Sequence, residues 1–379
     1  MQPQERPATT HRVEGSSLAW KPDGGEARRV LTKWWEGQGL ALHVTAPRDE
    51  PAEAIAPAPS ADLPTRWLDA EHRVQASLHH LSRTYHGGVA VPMVNTDVGG
   101  PGSLGLFLGA EGRLTETTVW YEPCIEDPDA HRPLRFDDEC EWWRIHERVL
   151  TEAERRSRGR CLVGFPDLIE NVDTLAALRG NERLLLDMVE RPEWVERRVD
   201  EINEAFFACF ERIESLVRSP WEGNAWHAFG IWGPGRTAKV QCDFCCMVSP
   251  AMFRRFVQPA LTRQCAWLRY SMFHLDGTQA LPQLDNLLSI EPLRAIEWTP
   301  QAGLPGGGSP RWFDLYRRIL AAGKCVQAIG VLPEEVEPLL DAVGVDGMFV
   351  TVCAASEEQA RDLLRRTGWR ETDGEETLS

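Results

Sequence analysis

Cys325-Val326-Gln327-Ala328-Ile329, a helical pattern over 332–343 and then Met348-Phe349-Val350-Thr351-Val352 make a strand, a helix and a second strand in quick succession. Two strands joined by a helical crossover run parallel, and the crossover is almost always right-handed. The same alternation extends through the chain. Apolar, β-branched runs fall at 40–46, 88–94, 161–165, 225–232, 272–275 and 295–298, giving eight strand candidates with the two above. Between them, residues 138–157, 173–217, 249–270, 311–322 and 356–367 place apolar side chains three and four apart among charges. Ser249-Pro250 supplies an N-cap followed by proline, and Ser356 precedes Glu357 and Glu358 in a first turn.

Eight strands alternating with helices predict an α/β chain folded as a single (β/α)8 barrel, the TIM barrel. An open doubly wound sheet is the rival, but no Gly-x-Gly-x-x-Gly follows a first strand. The flanks read differently. Residues 1–25 are polar and rich in Gly and Pro, the composition of a loose arm, and 26–64 read as an N-terminal extension ending in a Pro/Ala-rich loop. The barrel is expected over 65–368, with a flexible tail at 369–379.

Composition narrows the function. A net charge of −16 disfavours nucleic acid, whose phosphates need Lys and Arg. No apolar run approaches the roughly 20 residues of a membrane span, so no membrane partner is expected. The start, Met1-Gln2-Pro3-Gln4-Glu5-Arg6-Pro7, lacks the apolar segment of an export signal, and ten irregularly spaced cysteines read as reduced thiols. A cytoplasmic location follows as the expectation. Fifteen tryptophans, among them Trp120, Trp226, Trp232 and Trp298 beside candidate site residues, suggest an aromatic-walled cavity for a small molecule.

The candidate chemistry lies at strand ends. His274 in Phe273-His274-Leu275-Asp276-Gly277, Glu297 in Ile296-Glu297-Trp298 and Cys353 after Val350-Thr351-Val352 each close an apolar run. Strand ends on one barrel face converge, and imidazole, carboxylate and thiolate are the side chains that bind zinc. The competing reading has His274 and Asp276 bonding each other and Cys353 as a small buried apolar residue. His227 suits acid–base work or substrate orientation, or a satisfied place in the core. Asp243 stands before the Ser249 helix, where its carboxylate can face the cavity. The glycines of Gly303-Leu304-Pro305-Gly306-Gly307-Gly308 can present N–H groups to an anion, Gly306 and Gly307 in particular, or form a plain turn. Cys242-Asp243-Phe244-Cys245-Cys246 holds a Cys-x-x-Cys pair without the second pair of a structural zinc site, and reads as ordinary thiols. His79, His80 and His86 read as surface residues.

The stretch Ser249-Pro250-Ala251-Met252-Phe253-Arg254-Arg255-Phe256-Val257-Gln258-Pro259, followed by Phe273-His274-Leu275-Asp276-Gly277, resembles the uroporphyrinogen decarboxylase superfamily. Upstream Asp173-Thr174-Leu175-Ala176-Ala177-Leu178-Arg179-Gly180 and downstream Pro333-Glu334-Glu335-Val336 extend the likeness over roughly 65–368. The resemblance implies a (β/α)8 barrel and one of two chemistries, cofactor-free decarboxylation or zinc-dependent methyl transfer between a corrinoid and a thiol. The arginine-rich N-terminal motif of the decarboxylases is not reproduced around Arg28-Arg29-Val30-Leu31-Thr32. Asp97, in Asn95-Thr96-Asp97, matches the position of their catalytic aspartate.

In the methyltransferase branch, which is similar in layout to cobalamin-independent methionine synthases, the resemblance implies zinc held by His274, Glu297 and Cys353. Asp276 stands where that branch has its first cysteine, as a fourth ligand. Asp97, His227 and His274 are then the catalytic candidates, with Trp226, Asp243, Trp298, Gly306 and Gly307 lining the cofactor or substrate. The leading expectation is a methyltransferase moving a methyl group from a corrinoid, which in that branch is often carried by a partner protein, or from another small donor, to a thiol or related acceptor. A metal-independent lyase using Asp97 with a histidine, and a non-catalytic barrel binding a corrinoid or tetrapyrrole, are the alternatives.

Overall fold

The computed structural model describes residues 17–98 and 100–369. Its strands are β1 (Leu40–Pro47), β2 (Thr84–Gly88), β3 (Met93–Val94), β4 (Glu111–Leu114), β5 (Val119–Glu122), β6 (Leu162–Phe165) and β7 (Asn224–Trp226). They continue with β8 (Ile231–Gly233), β9 (Thr237–Gln241), β10 (Tyr270–Asp276), β11 (Ala295–Thr299), β12 (Cys325–Val331) and β13 (Met348–Cys353). Seven of them form one sheet in the order β2-β1-β13-β12-β11-β10-β9, parallel throughout except at the β1–β2 edge. A second sheet runs β3-β6-β7-β8, and β4 and β5 form a separate hairpin. The fold is therefore mixed α/β, with mainly parallel strands and helical crossovers.

The two sheets meet at a side chain. Asn224, the first residue of β7, donates from Nδ2 to Thr237 O at 2.9 Å and accepts from Thr237 N at 2.8 Å. An amide side chain thus supplies β9 with the pair of bonds that a neighbouring strand would otherwise make.

Several elements depart from the sequence reading for local reasons. The run 88–94 is not one strand: Gly88 takes φ +62 with Leu42 O where a Cβ would sit, and Pro92 lacks an N–H, so only Met93–Val94 pairs onward. The run 225–232 splits into β7 and β8, an antiparallel pair turned through Phe229 at φ 63. The 173–217 pattern is three helices, Asn171–Arg179, Asn181–Glu190 and Pro192–Leu216, divided at Gly180 (φ 88) and at Pro192.

The N-terminal boundary also moves. Helix Gly24–Trp35 buries Leu31, Trp34 and Trp35, and β1 lies inside the main sheet, so the segment read as an extension is part of the core. Within the stretch read as a loose arm, Trp20 and Lys21 are buried, and Lys21 Nζ donates to Gly88 O at 2.7 Å. Residues 1–16 and the tail from 370 lie outside the described residues. No described helix is long and apolar enough to cross a membrane.

Candidate active site

Parallel register places side chains in rows. Gln241 of β9 is opposite His274 of β10, His274 is opposite Glu297 of β11, and Glu297 is opposite Gln327 of β12. Register neighbours point to the same face of a sheet. Four adjacent strands therefore present one polar row, while Trp298 alternates to the opposite face and packs on Trp312 at 5.0 Å between centroids.

His274 is the centre of that row. Its Nδ1 lies 2.5 Å from Glu297 Oε2, and Thr299 Oγ1 donates to Glu297 Oε1 at 2.8 Å. Glu297 is fully buried, and the Phe229 ring lies 4.8 Å from the imidazole, tilted by 34°. Burial alone would lower the His274 pKa, but the hydrogen bond and charge of Glu297 outweigh it and carry the imidazole above its ordinary value. Burial likewise raises Glu297, against the opposing pull of His274. A buried carboxylate accepting from Nδ1 fixes the tautomer and leaves Nε2 free for an incoming group.

The donors of Asp243, His274 and Asp276 lie within 4.8 Å of one another, close enough to share one cation. One imidazole and two carboxylates are a donor set that zinc accepts, with a fourth position left for water or substrate. Asp276 is exposed to solvent, and so is part of Asp243. Burial, then repulsion from Asp173, push the Asp243 carboxyl up to about 6, partly offset by His274 and Lys239. Gln241 Nε2 donates to Asp243 Oδ2 at 2.9 Å, and Asp173 accepts from the backbone N–H of Asp243 (2.7 Å) and Phe244 (2.8 Å).

Glu297 and Cys353 were expected among the ligands, and the structure places them otherwise. Both Glu297 oxygens are engaged, by His274 and Thr299, so it serves as the partner that orients the histidine. Cys353 ends β13, separated from β11 by β12, and its Sγ lies 3.5 Å from Thr45 Oγ1 on β1. His274 groups with Asp243 and Asp276, and Cys353 is not among the donors gathered there.

A second cluster extends from β9 toward the residues that follow β6 and β7. Lys239, 1% exposed, pairs with Asp167 at 2.8 Å and donates to Gln241 Oε1. Asp167 N donates to Asp97 Oδ1 at 2.5 Å, and His227 Nδ1 lies 3.7 Å from Asp97 Oδ2. A continuous polar chain therefore runs from His227 and Asp97 through Asp167, Lys239 and Gln241 to Asp243. Glu170, fully buried, accepts from Gln241 N at 2.9 Å, and its Oε2 has no partner among the described residues; burial pushes its carboxyl up to about 8. Ile169 and Asn171 on either side of it adopt φ 46 and φ 50, a strained backbone of the kind found at functional sites.

Lys239, Asp167 and Glu170 escape a reading of the sequence. Their signal is a lysine inside Thr237-Ala238-Lys239-Val240-Gln241, where alternation puts Thr237, Lys239 and Gln241 on one face. Other expected residues take structural places. Trp226 is fully buried against Phe165 and Phe210. Gly307 N donates to Ile329 O at 2.9 Å, and a Cβ on Gly306 would sit 2.2 Å from Gly330 O. These glycines let their loop press against the end of β12, and the Gly307 N–H is not available to an anion.

No family model matches the chain, and no curated protein matches it.

Proposed function

We propose that the chain is a metal-dependent methyltransferase of (β/α)8 architecture, with Asp243, His274 and Asp276 holding zinc at the C-terminal ends of the parallel strands. The reading that the two sheets are arcs of one barrel is supported by the Asn224 side chain, which links β7 to β9 where backbone pairing lapses. The observation that carries the metal reading is the meeting of three donors around a histidine whose other nitrogen is held by a buried carboxylate. That carboxylate–histidine arrangement is the usual support of a metal-binding imidazole.

When bound, the metal would supply a Lewis acid that lowers the pKa of an acceptor thiol. The chain's own residues divide the remaining work. Glu297 keeps the proton on Nδ1, Thr299 fixes the carboxylate, and Phe229 covers one face of the imidazole and limits water. Gln241 orients Asp243 through a 2.9 Å hydrogen bond. Methyl transfer, with a corrinoid carried by a partner protein as donor, comes from the likeness of the Ser249–Pro259 and Phe273–Gly277 segments to the uroporphyrinogen decarboxylase superfamily.

Metal analysis of the purified protein tests this reading. About one zinc per chain is expected in the wild type and in Cys353→Ser, with loss in His274→Ala and in Asp276→Ala. Full activity in metal-free protein would instead favour a lyase working through Asp97 and His227, whose side chains approach within 3.7 Å.

A further inference from the structure

Beside Asp243 opens a cavity of about 340 Å³. Its apolar lining includes Ile169, Ala177, Phe244 and Met247, and its polar lining Asp173, Asp243, Asn181 and Gln241. Among the described residues that line it, none is Lys, Arg or His. The volume falls in the range of small-molecule sites, and the mix of apolar walls with a few convergent polar groups is what such sites use. One wall is held at a conformational cost: Ile169 is β-branched and sits at φ 46, a conformation that such residues avoid. The neighbouring loop is fixed by Asn171 Nδ2 donating to Gln241 O at 2.8 Å, which ties the strained segment to the strand carrying the site.

We propose that this cavity holds the uncharged, apolar body of the substrate, an aromatic or alicyclic ring system, and rejects carboxylated counterparts. The inference rests on the reading that Asp243, His274 and Asp276 mark the reacting end. An anionic ring substituent seated among these walls would lose part of its water, find no cationic side chain and lie near the carboxylate of Asp173. Burying an unpaired carboxylate is far more costly than burying the ring itself. An uncharged ring gains from contact with Ile169, Ala177, Phe244 and Met247 and leaves its reactive group at Asp243. The charge of the lining thus selects against polycarboxylates, including the porphyrinogens of the resembling decarboxylases.

The test uses the full-length protein as purified, and again after metal removal, titrated calorimetrically with indole and with indole-2-carboxylate. Indole is expected to bind, and the carboxylate at least about tenfold more weakly, as one uncompensated buried charge requires. Ala177→Trp, which fills the cavity, removes indole binding. Met247 is 42% exposed at the rim, so Met247→Lys is tolerated and brings in a cation; it raises carboxylate affinity at least about fivefold. Carboxylate binding as tight as indole in the wild type, or affinities unmoved in both variants, overturns the proposal. His274→Ala separates it from the metal reading, because that variant keeps indole binding whether or not the wild type holds zinc.

Discussion

Glu297 shows how one buried carboxylate sets the state of its neighbour. Because both its oxygens are bonded, replacing it with glutamine keeps the shape and removes the charge that holds the proton on His274 Nδ1. Loss of such a supporting partner weakens metal binding about 10–100-fold, so Glu297→Gln is expected to raise the zinc dissociation constant by that factor in a competitive chelator titration. Glu170 gives a pH signature. Its folded-state pKa, about 8, lies above the ordinary 4.5, so the folded protein holds this proton more tightly than the unfolded chain. Its contribution to stability is complete below pH 4.5 and is lost as pH rises toward 8. Glu170→Gln should therefore raise the melting temperature at pH 8 and change it little at pH 5, by thermal denaturation. Residue chemistry was partly legible: His274 and Asp276 stand out at a strand end. The role of Glu297 depends on its pairing opposite His274, and the contact of Cys353 with Thr45 depends on β13 pairing with β1, which spacing in sequence does not report.

At the scale of elements, β9 matters most and was least visible. Lys239 and Gln241 break the apolar run that marks a buried strand, yet both face the polar row at the ends of the strands. Removing one partner of a buried pair leaves the other charge uncompensated, at a cost of about 3–5 kcal/mol. Lys239→Met should lose about that much in urea denaturation, and the double variant Lys239→Met/Asp167→Leu should recover most of it. Equal losses in the single and double variants would show that the Lys239–Asp167 pair is not what stabilises β9. The helices were legible where capping was strong: Ser249 accepts from Met252 N and Ser356 from Gln359 N, as their sequences suggest. The long 173–217 pattern hid its breaks because Gly180 and Pro192 fall within an unbroken apolar period.

Across the whole molecule, α/β alternation was readable from residue 40 to 366, and six of the eight apolar runs became single strands in the expected places. What sequence could not convey is the seam between sheets, where a side chain replaces backbone pairing. Asn224→Ala would strand the N–H and C=O of Thr237 and is expected to cost about 1–3 kcal/mol in chemical denaturation. The seam bears on function because it keeps β6 and β7, which lead to Asp167 and His227, in place beside β9. The proposed reacting centre lies at Asp243, His274 and Asp276. Anomalous diffraction at the zinc edge from crystals grown with equimolar zinc tests it directly. A single peak about 2.0–2.2 Å from His274 Nε2 and from carboxylate oxygens of Asp243 and Asp276 is the result expected. A peak at Cys353, or full zinc occupancy away from His274, would contradict it.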